Sequence, residues 1–214
     1  MKIGILGSST VGQALAIGLA RHGHEVTVGT RDPKKLAKFA HEAKVSIGSF
    51  ADAAKFGDLV ILALNGQGAE SALEIAGPAS FGEKLVLDAT NPLDFSKGMP
   101  PGLLVGTTDS LGERIQRKLP RAKVVKCFNT VPSTAMIDPP FKDPVAMFIC
   151  GNDAEAKKRT AELLESLGWP GVLDVGGIDG ARWLEALVPL WVRTGVVLNL
   201  FGKGSWAFKV VTEQ

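Results

Sequence analysis

The feature that most restricts the fold is a rhythm of short runs that stay apolar from end to end, each followed by a stretch with helical spacing. "KIGILG" (2–7), "EVTVGT" (25–30), "DLVILAL" (58–64), "KLVLDAT" (84–90), "AKVVKCF" (122–128) and "VAMFIC" (145–150) are runs of this kind. A strand with one wet face alternates apolar and polar residues, whereas a strand covered on both faces does not, and a parallel sheet between helices covers both. The intervening helices have legible ends. "QALAIGLARHG" closes at Gly23, a C-terminal cap. Asp32 and Pro33 read as the N-cap and first helical position of "KKLAKFAHEA". Ser110 and Glu113 form a capping box before "RIQRKL", and Asn152, three before Glu155, heads "AEAKKRTAELLESL". Strand and helix alternate to about residue 176, which predicts an α/β fold, a Rossmann-like doubly wound parallel sheet.

Two segments stand outside this rhythm. "NPLDFSKGMPPG" (91–102) is a Pro/Gly-rich loop of a length expected of a lid or binding loop. Residues 183–201 are the most apolar of the chain, but Glu185, Pro189 and Arg193 break them well short of the roughly 20 apolar residues of a membrane span. They read as a packed helix or helix pair that serves as core, subunit contact or pocket wall.

Composition narrows the partners. The 24 basic and 22 acidic residues leave a net charge of +2 with no basic stripe, so nucleic acid is not an expected partner and any anion site is local. Cys127 and Cys150 lie in apolar runs without paired or metal-like spacing, the pattern of buried free thiols in a reducing compartment, with no metal site. The chain enters its first strand almost at once, with no secretory signal in view, and the expected location is the cytoplasm.

The first strand ends in "GSSTVG". Gly7 and Gly12 occupy the first and third positions of the dinucleotide pattern G-x-G-x-x-G, and Ser9 stands where the middle glycine is usual. Gly7 suits a tight turn, Gly12 lets the helix approach the strand, and Ser8, Ser9 and Thr10 add hydroxyls beside free N–H groups at the helix start. At the end of the second strand, where NAD-specific sites carry an acidic residue, this chain has Thr30 and Arg31, followed by Lys34, Lys35 and Lys38. A hydroxyl, a planar guanidinium and a nearby ammonium match the 2′-phosphate of NADP. Two other readings stay open: a solvated basic turn, and a ribose reached by Asp32.

The reacting groups are few. The chain has no tyrosine, and His22, His24 and His41 fall at helix positions away from the carboxyl edge of the sheet, where ligands bind. Lys97, Lys126 and Lys203 remain as candidate proton donors. The inventory favours a hydride transfer from carrier to carrier with no catalytic side chain, in which the protein supplies orientation.

"MKIGILGSSTVGQALAIGLARHGHEVTVGTRDPKKL", "DATNPLDF", "VVKCFNTVP", "FICGNDAEAKK" and "DGARWLEALVPLW" together resemble the NADPH-dependent coenzyme F420 reductases, the F420-dependent NADP oxidoreductases, over nearly the whole chain. The resemblance implies an NADP-binding Rossmann domain over residues 1–178 and a small helical C-terminal extension over 179–214 that forms the substrate cleft, a dimer contact, or both. It implies that Ser8, Ser9, Thr10 and Val11 hold the pyrophosphate and Thr30, Arg31 and Lys35 the 2′-phosphate. Leu64, Asn65, Ala89, Thr90 and Asn91 would line the strand ends, with Asn129, Val131, Pro132 and Ser133 at the nicotinamide side. The family often has proline at Asn65, and some members have histidine at Asn129. The implied reaction passes hydride between NADP(H) and a deazaflavin in a homodimer. The alternatives are reduction of a flavin, a metal chelate or a small imine or ketone, and an NADP(H)-sensing module without catalysis.

Overall fold

The computed structural model describes residues 1–213. The strands are β1 (Lys2–Leu6), β2 (Glu25–Gly29), β3 (Ser46–Gly48), β4 (Leu59–Leu62), β5 (Leu85–Asp88), β6 (Leu93–Asp94), β7 (Gly102–Leu103), β8 (Lys123–Lys126), β9 (Met147–Gly151) and β10 (Val172–Asp174). The helices are α1 (Thr10–Arg21), α2 (Ala37–Ala43), α3 (Phe50–Phe56), α4 (Gly66–Ala76), α5 (Leu111–Lys118), α6 (Ala154–Ser166) and α7 (Ala181–Val197). Eight strands form one sheet in the order β10-β9-β8-β5-β4-β1-β2-β3, and β6 and β7 form a separate antiparallel ribbon within the Pro/Gly-rich loop.

Continuous apolar strands are buried on both faces. Ile3, Ile5, Leu59 and Ile61 point into one core with Leu15 and Leu19 of α1 and Leu163 and Leu164 of α6. Leu6, Val60 and Leu62 enter the opposite core with Phe50 of α3, Leu73 of α4 and Ile115 of α5. Each fully buried residue of this kind contributes about 1.5–3 kcal/mol of transfer free energy. Gly4 lets α3 lie directly on β1, because a Cβ there would strike the Ala53 carbonyl.

The mostly parallel sheet with helices on both faces is the expected Rossmann-like α/β fold, and the details depart from expectation in three places. The sheet is parallel from β3 across to β8, but β9 pairs antiparallel with β8, and β10 follows β9. The connection from β8 to β9 holds only the short 3₁₀ turn Ser133–Ala135, too little for a crossover, so the chain returns in the opposite direction. Pro33–Leu36 is a 3₁₀ turn leading into α2, and the Asp32 carboxylate caps nothing, pairing instead with Lys35 at 3.4 Å. Asp153, not Asn152, caps α6 through the Ala156 N–H, while the Asn152 side-chain Oδ1 accepts from the Ile178 N–H. Of the helix or helix pair expected for the apolar C-terminal segment, the structure has the single helix α7, with Pro189 inside it.

Charged residues embedded in three of the apolar runs converge in the interior. The Lys126 ammonium, fully buried at the end of β8, donates to Asp88 at 2.9 Å, to the Thr90 carbonyl at 2.7 Å and to Glu185 of α7 at 2.8 Å. Asp88 accepts from the Thr90 N–H and hydroxyl, and Glu185 accepts from the Leu111 and Gly112 N–H groups at the open start of α5. Burial alone would lower the Lys126 pKa, but the two carboxylates overcome it and hold the ammonium above its ordinary value. Lys126 is thereby removed from the candidate proton donors. Lys126→Ala would strand two buried carboxylates, and chemical denaturation should show a loss of about 3–5 kcal/mol of stability.

Candidate functional site

The turn after β1 opens a cleft of 410 Å³ at the carboxyl edge of the sheet. Its lining brings together Gly7, Ser8, Ser9, Thr30, Arg31, Leu64 and Asn65, all named from the sequence, with Phe50, Ala63, Gly68, Ser71, Ala72 and Ile75, which were not. Phe50 begins α3 and the last four lie along one side of α4, so this wall comes from elements outside the glycine motif. The Ser49-x-x-Asp52 capping box that starts α3 was a readable signal for its position.

Glycine is required at both ends of the motif's turn. Gly7 has φ +117°, and a Cβ on it would run into the Ala63 carbonyl of the neighbouring strand end; a Cβ on Gly12 would fall on the Gly7 carbonyl. The Ser9 side chain caps nothing, so the first-turn N–H groups of α1, those of Thr10, Val11 and Gly12, face outward with the positive end of the helix dipole. The Gln13 amide holds the Ser8 carbonyl at 2.8 Å, and the Ser8 hydroxyl donates to the Thr30 hydroxyl at 3.1 Å, tying the turn after β1 to the turn after β2. Beyond Thr30, Lys35 is engaged by Asp32 and Lys38 by Glu42 at 3.8 Å. Among the described residues Arg31 and Lys34 make no ion pair, which leaves them as the free cations of the basic turn.

From Asn65, at the end of the cleft, the remaining named residues continue along the same edge. Asn65 caps α4 through the Gln67 N–H and bridges to Asn91. Asn91 and Asn129 exchange hydrogen bonds: the Asn91 amide donates to the Asn129 carbonyl at 2.9 Å, and the Asn129 amide donates to the Asn91 side chain at 3.2 Å and to the Leu184 carbonyl of α7 at 2.9 Å. Ala89, Thr90, Asn129 and Val131 are buried, while Pro132 and Ser133 are half-buried on the rim. With both acceptors taken by its NH₂, Asn129 leaves its buried Oδ1 without a partner. The next rim residue, Thr134, meets the Ser205 hydroxyl at 2.9 Å, which brings the chain beyond α7 back to the rim.

Other reactive groups lie apart. Burial pushes the Cys127 thiol well up and the Cys150 thiol up to about 12, so neither is a nucleophile near neutral pH. His22 and His24 follow α1 at the opposite edge, where His22 meets Asp138 at 3.0 Å. Among the described residues no group of His, Cys, Asp or Glu could hold a metal ion, and no helix is long and apolar enough to cross a membrane.

Comparison with known proteins gives the family. Residues 2–92 match the family described as NADP oxidoreductase, coenzyme F420-dependent. The F420-dependent NADP reductase of Methanocaldococcus jannaschii is 31% identical, over 95% of this chain and 96% of that one. The chain belongs to the F420-dependent NADP oxidoreductase family. It is an NADP-dependent oxidoreductase of that family. A crystal structure from Arthrobacter sp. FB24, provisionally assigned as an F420-dependent NADP-reductase, superposes with a TM-score of 0.94 at 44% identity, covering 99% of this chain and 100% of that one. The family also reaches the metalloreductase STEAP3 of Rattus norvegicus, 30% identical over 94% of this chain but only 40% of that protein.

Within this family geometry, Gly12→Val should abolish NADPH binding in calorimetry by forcing α1 off the Gly7 carbonyl. Ser9→Gly restores the commoner residue and should keep the binding.

Proposed function

We propose that this protein passes hydride between NADP(H) and a deazaflavin of the coenzyme F420 type. The observation that carries the cofactor half is the junction at the end of β2, where the Thr30 hydroxyl and an unpaired Arg31 border the cleft. The residues fit the dinucleotide. Gly7 and Gly12 form a cradle that a Cβ would fill, and the orphaned Asn129 Oδ1 is an acceptor at the far end of the same edge. Ser8, Ser9, Thr10 and Val11 would hold the pyrophosphate on the α1 N-terminus. Thr30 and Arg31 would hold the 2′-phosphate, with Lys35 after release from Asp32. Leu64 and Asn65 would line its path toward Ala89–Asn91 and Asn129, Val131, Pro132 and Ser133. Bound NADP(H) supplies the hydride chemistry; these side chains bind, orient and exclude water.

The acceptor half rests on the relatives named F420-dependent NADP reductases. Residues 179–214 would form the acceptor-side wall, since α7 is fastened to the strand ends at Leu184 and Glu185. A homodimer is part of the proposal: Trp183, Leu190 and Val197, seven apart along α7, are 65%, 55% and 62% exposed. The similarity to STEAP3 supports a second reading, in which a flavin or metal chelate takes the electrons.

Calorimetry should give NADPH an advantage over NADH of about 1–3 kcal/mol, the scale of charged hydrogen bonds to a phosphate, and Arg31→Ala should narrow it. Equal affinities would remove the 2′-phosphate assignment. For the acceptor, pure protein should oxidise 4-deuterated NADPH with coenzyme F420 and deliver the label to it without exchange into water. Turnover with flavin or ferric chelate alone would instead establish the second reading.

A further inference from the structure

The buried cluster around Lys126 lies at the edge where folds of this topology present a dinucleotide. Asp88 and Lys126 are the last residues of β5 and β8, and the Thr90 carbonyl gripped by Lys126 is followed at once by Asn91 on the rim. The cluster holds two carboxylates and one ammonium, with exposures of 0% for Asp88, 0% for Lys126 and 2% for Glu185. Neighbouring charges cancel among themselves: Arg182 takes Glu113 at 2.6 Å, Asp109 takes both Arg117 and Arg114 at 3.0 Å, and Arg114 also reaches Glu70 at 3.9 Å. The amides at the start of α5, bound by Glu185, return only part of a positive unit. An excess of negative charge is therefore left in a water-free place beneath the rim.

We propose that this excess makes the site favour the oxidised cofactor, so that Glu185 and Asp88 shift the equilibrium of the bound nicotinamide toward NADP⁺. The inference rests on the NADP reading above and adds the redox form of the cofactor that the site prefers. The reduced nicotinamide ring is neutral. When its C4–H bond breaks, hydrogen leaves with both electrons for the deazaflavin, which takes one proton from water to complete its reduction, and a ring cation remains. A fixed negative charge in a low dielectric stabilises that cation and leaves the neutral form nearly untouched. By linkage, the ratio of the two binding constants measures the shift in cofactor potential. Glu185 and Asp88 are positioning and tuning residues here, with no role at the reacting atoms.

The test is titration of the whole chain with NADP⁺ and NADPH separately, without acceptor, for wild type, Glu185→Gln and Asp88→Asn, with thermal melts run beside them. Wild type should bind NADP⁺ more tightly than NADPH, and each folded variant should shrink that preference roughly threefold or more, the effect of one charge through a protein-like dielectric. A purely structural role would weaken both ligands in parallel and leave the ratio unchanged, which would overturn the inference. Should neither variant fold, the wild-type ratio still decides, and a preference for NADPH would overturn it. If wild type binds neither nucleotide, the NADP reading itself falls and takes this inference with it, an outcome distinct from binding with the wrong ratio.

Discussion

A single ammonium group, that of Lys126, connects most of what defines the functional edge. Its three donors are committed to β5, to the turn after it, and to α7. Through Glu185 the same group reaches the start of α5, whose first amides have no partner within their own helix. An ion cluster so dry is weak evidence of added stability, because desolvation offsets much of the attraction. Its physical effect is on geometry: only one docking of α7 satisfies every one of these groups. Gly112 allows that docking, since a Cβ there would press against Ala181.

The edge so built has two unlike parts. Over β1, β2 and β4 it is an open cleft with backbone N–H groups, hydroxyls and a free guanidinium, chemistry suited to phosphates. Over β5 and β8 it is closed, stitched by the paired amides of Asn91 and Asn129 and by their tie to the Leu184 carbonyl. The groups suited to an anion thus sit on turns between strands, while the closed part is shared with α7 and the chain after it.

Much of the fold was legible because burial on both faces removes polar residues from a strand, so Leu59–Leu62 and Leu85–Asp88 announce themselves. Strand direction left no such mark: β9 has the same apolar character as β8, and its reversal follows from a connection without a crossover helix. Lys126 was read singly as a candidate proton donor and Glu185 as a break in an apolar segment, and Asp88 was not singled out, because nothing local says that residues so far apart in the chain meet. At the candidate site the glycine turn and Thr30–Arg31 carry local signatures. The α4 wall of Gly68, Ser71 and Ile75 does not, since a cleft wall is made by packing rather than by motif.

The long sequence separations in the Lys126 cluster also bear on how the chain is assembled. Asp88 and Lys126 emerge from the ribosome well before Glu185, so a nascent chain that has completed β9 has its two buried partners side by side and its third still unmade. Contacts between such distant segments form late, after the loop-closure entropy of the intervening chain has been overcome. The start of α5 cannot be satisfied until α7 arrives, which makes the C-terminal segment the closing step of folding rather than an appendage added to a finished domain. A protein shortened before Glu185 would be left with an interior ammonium short of one carboxylate and two helix amides facing nothing.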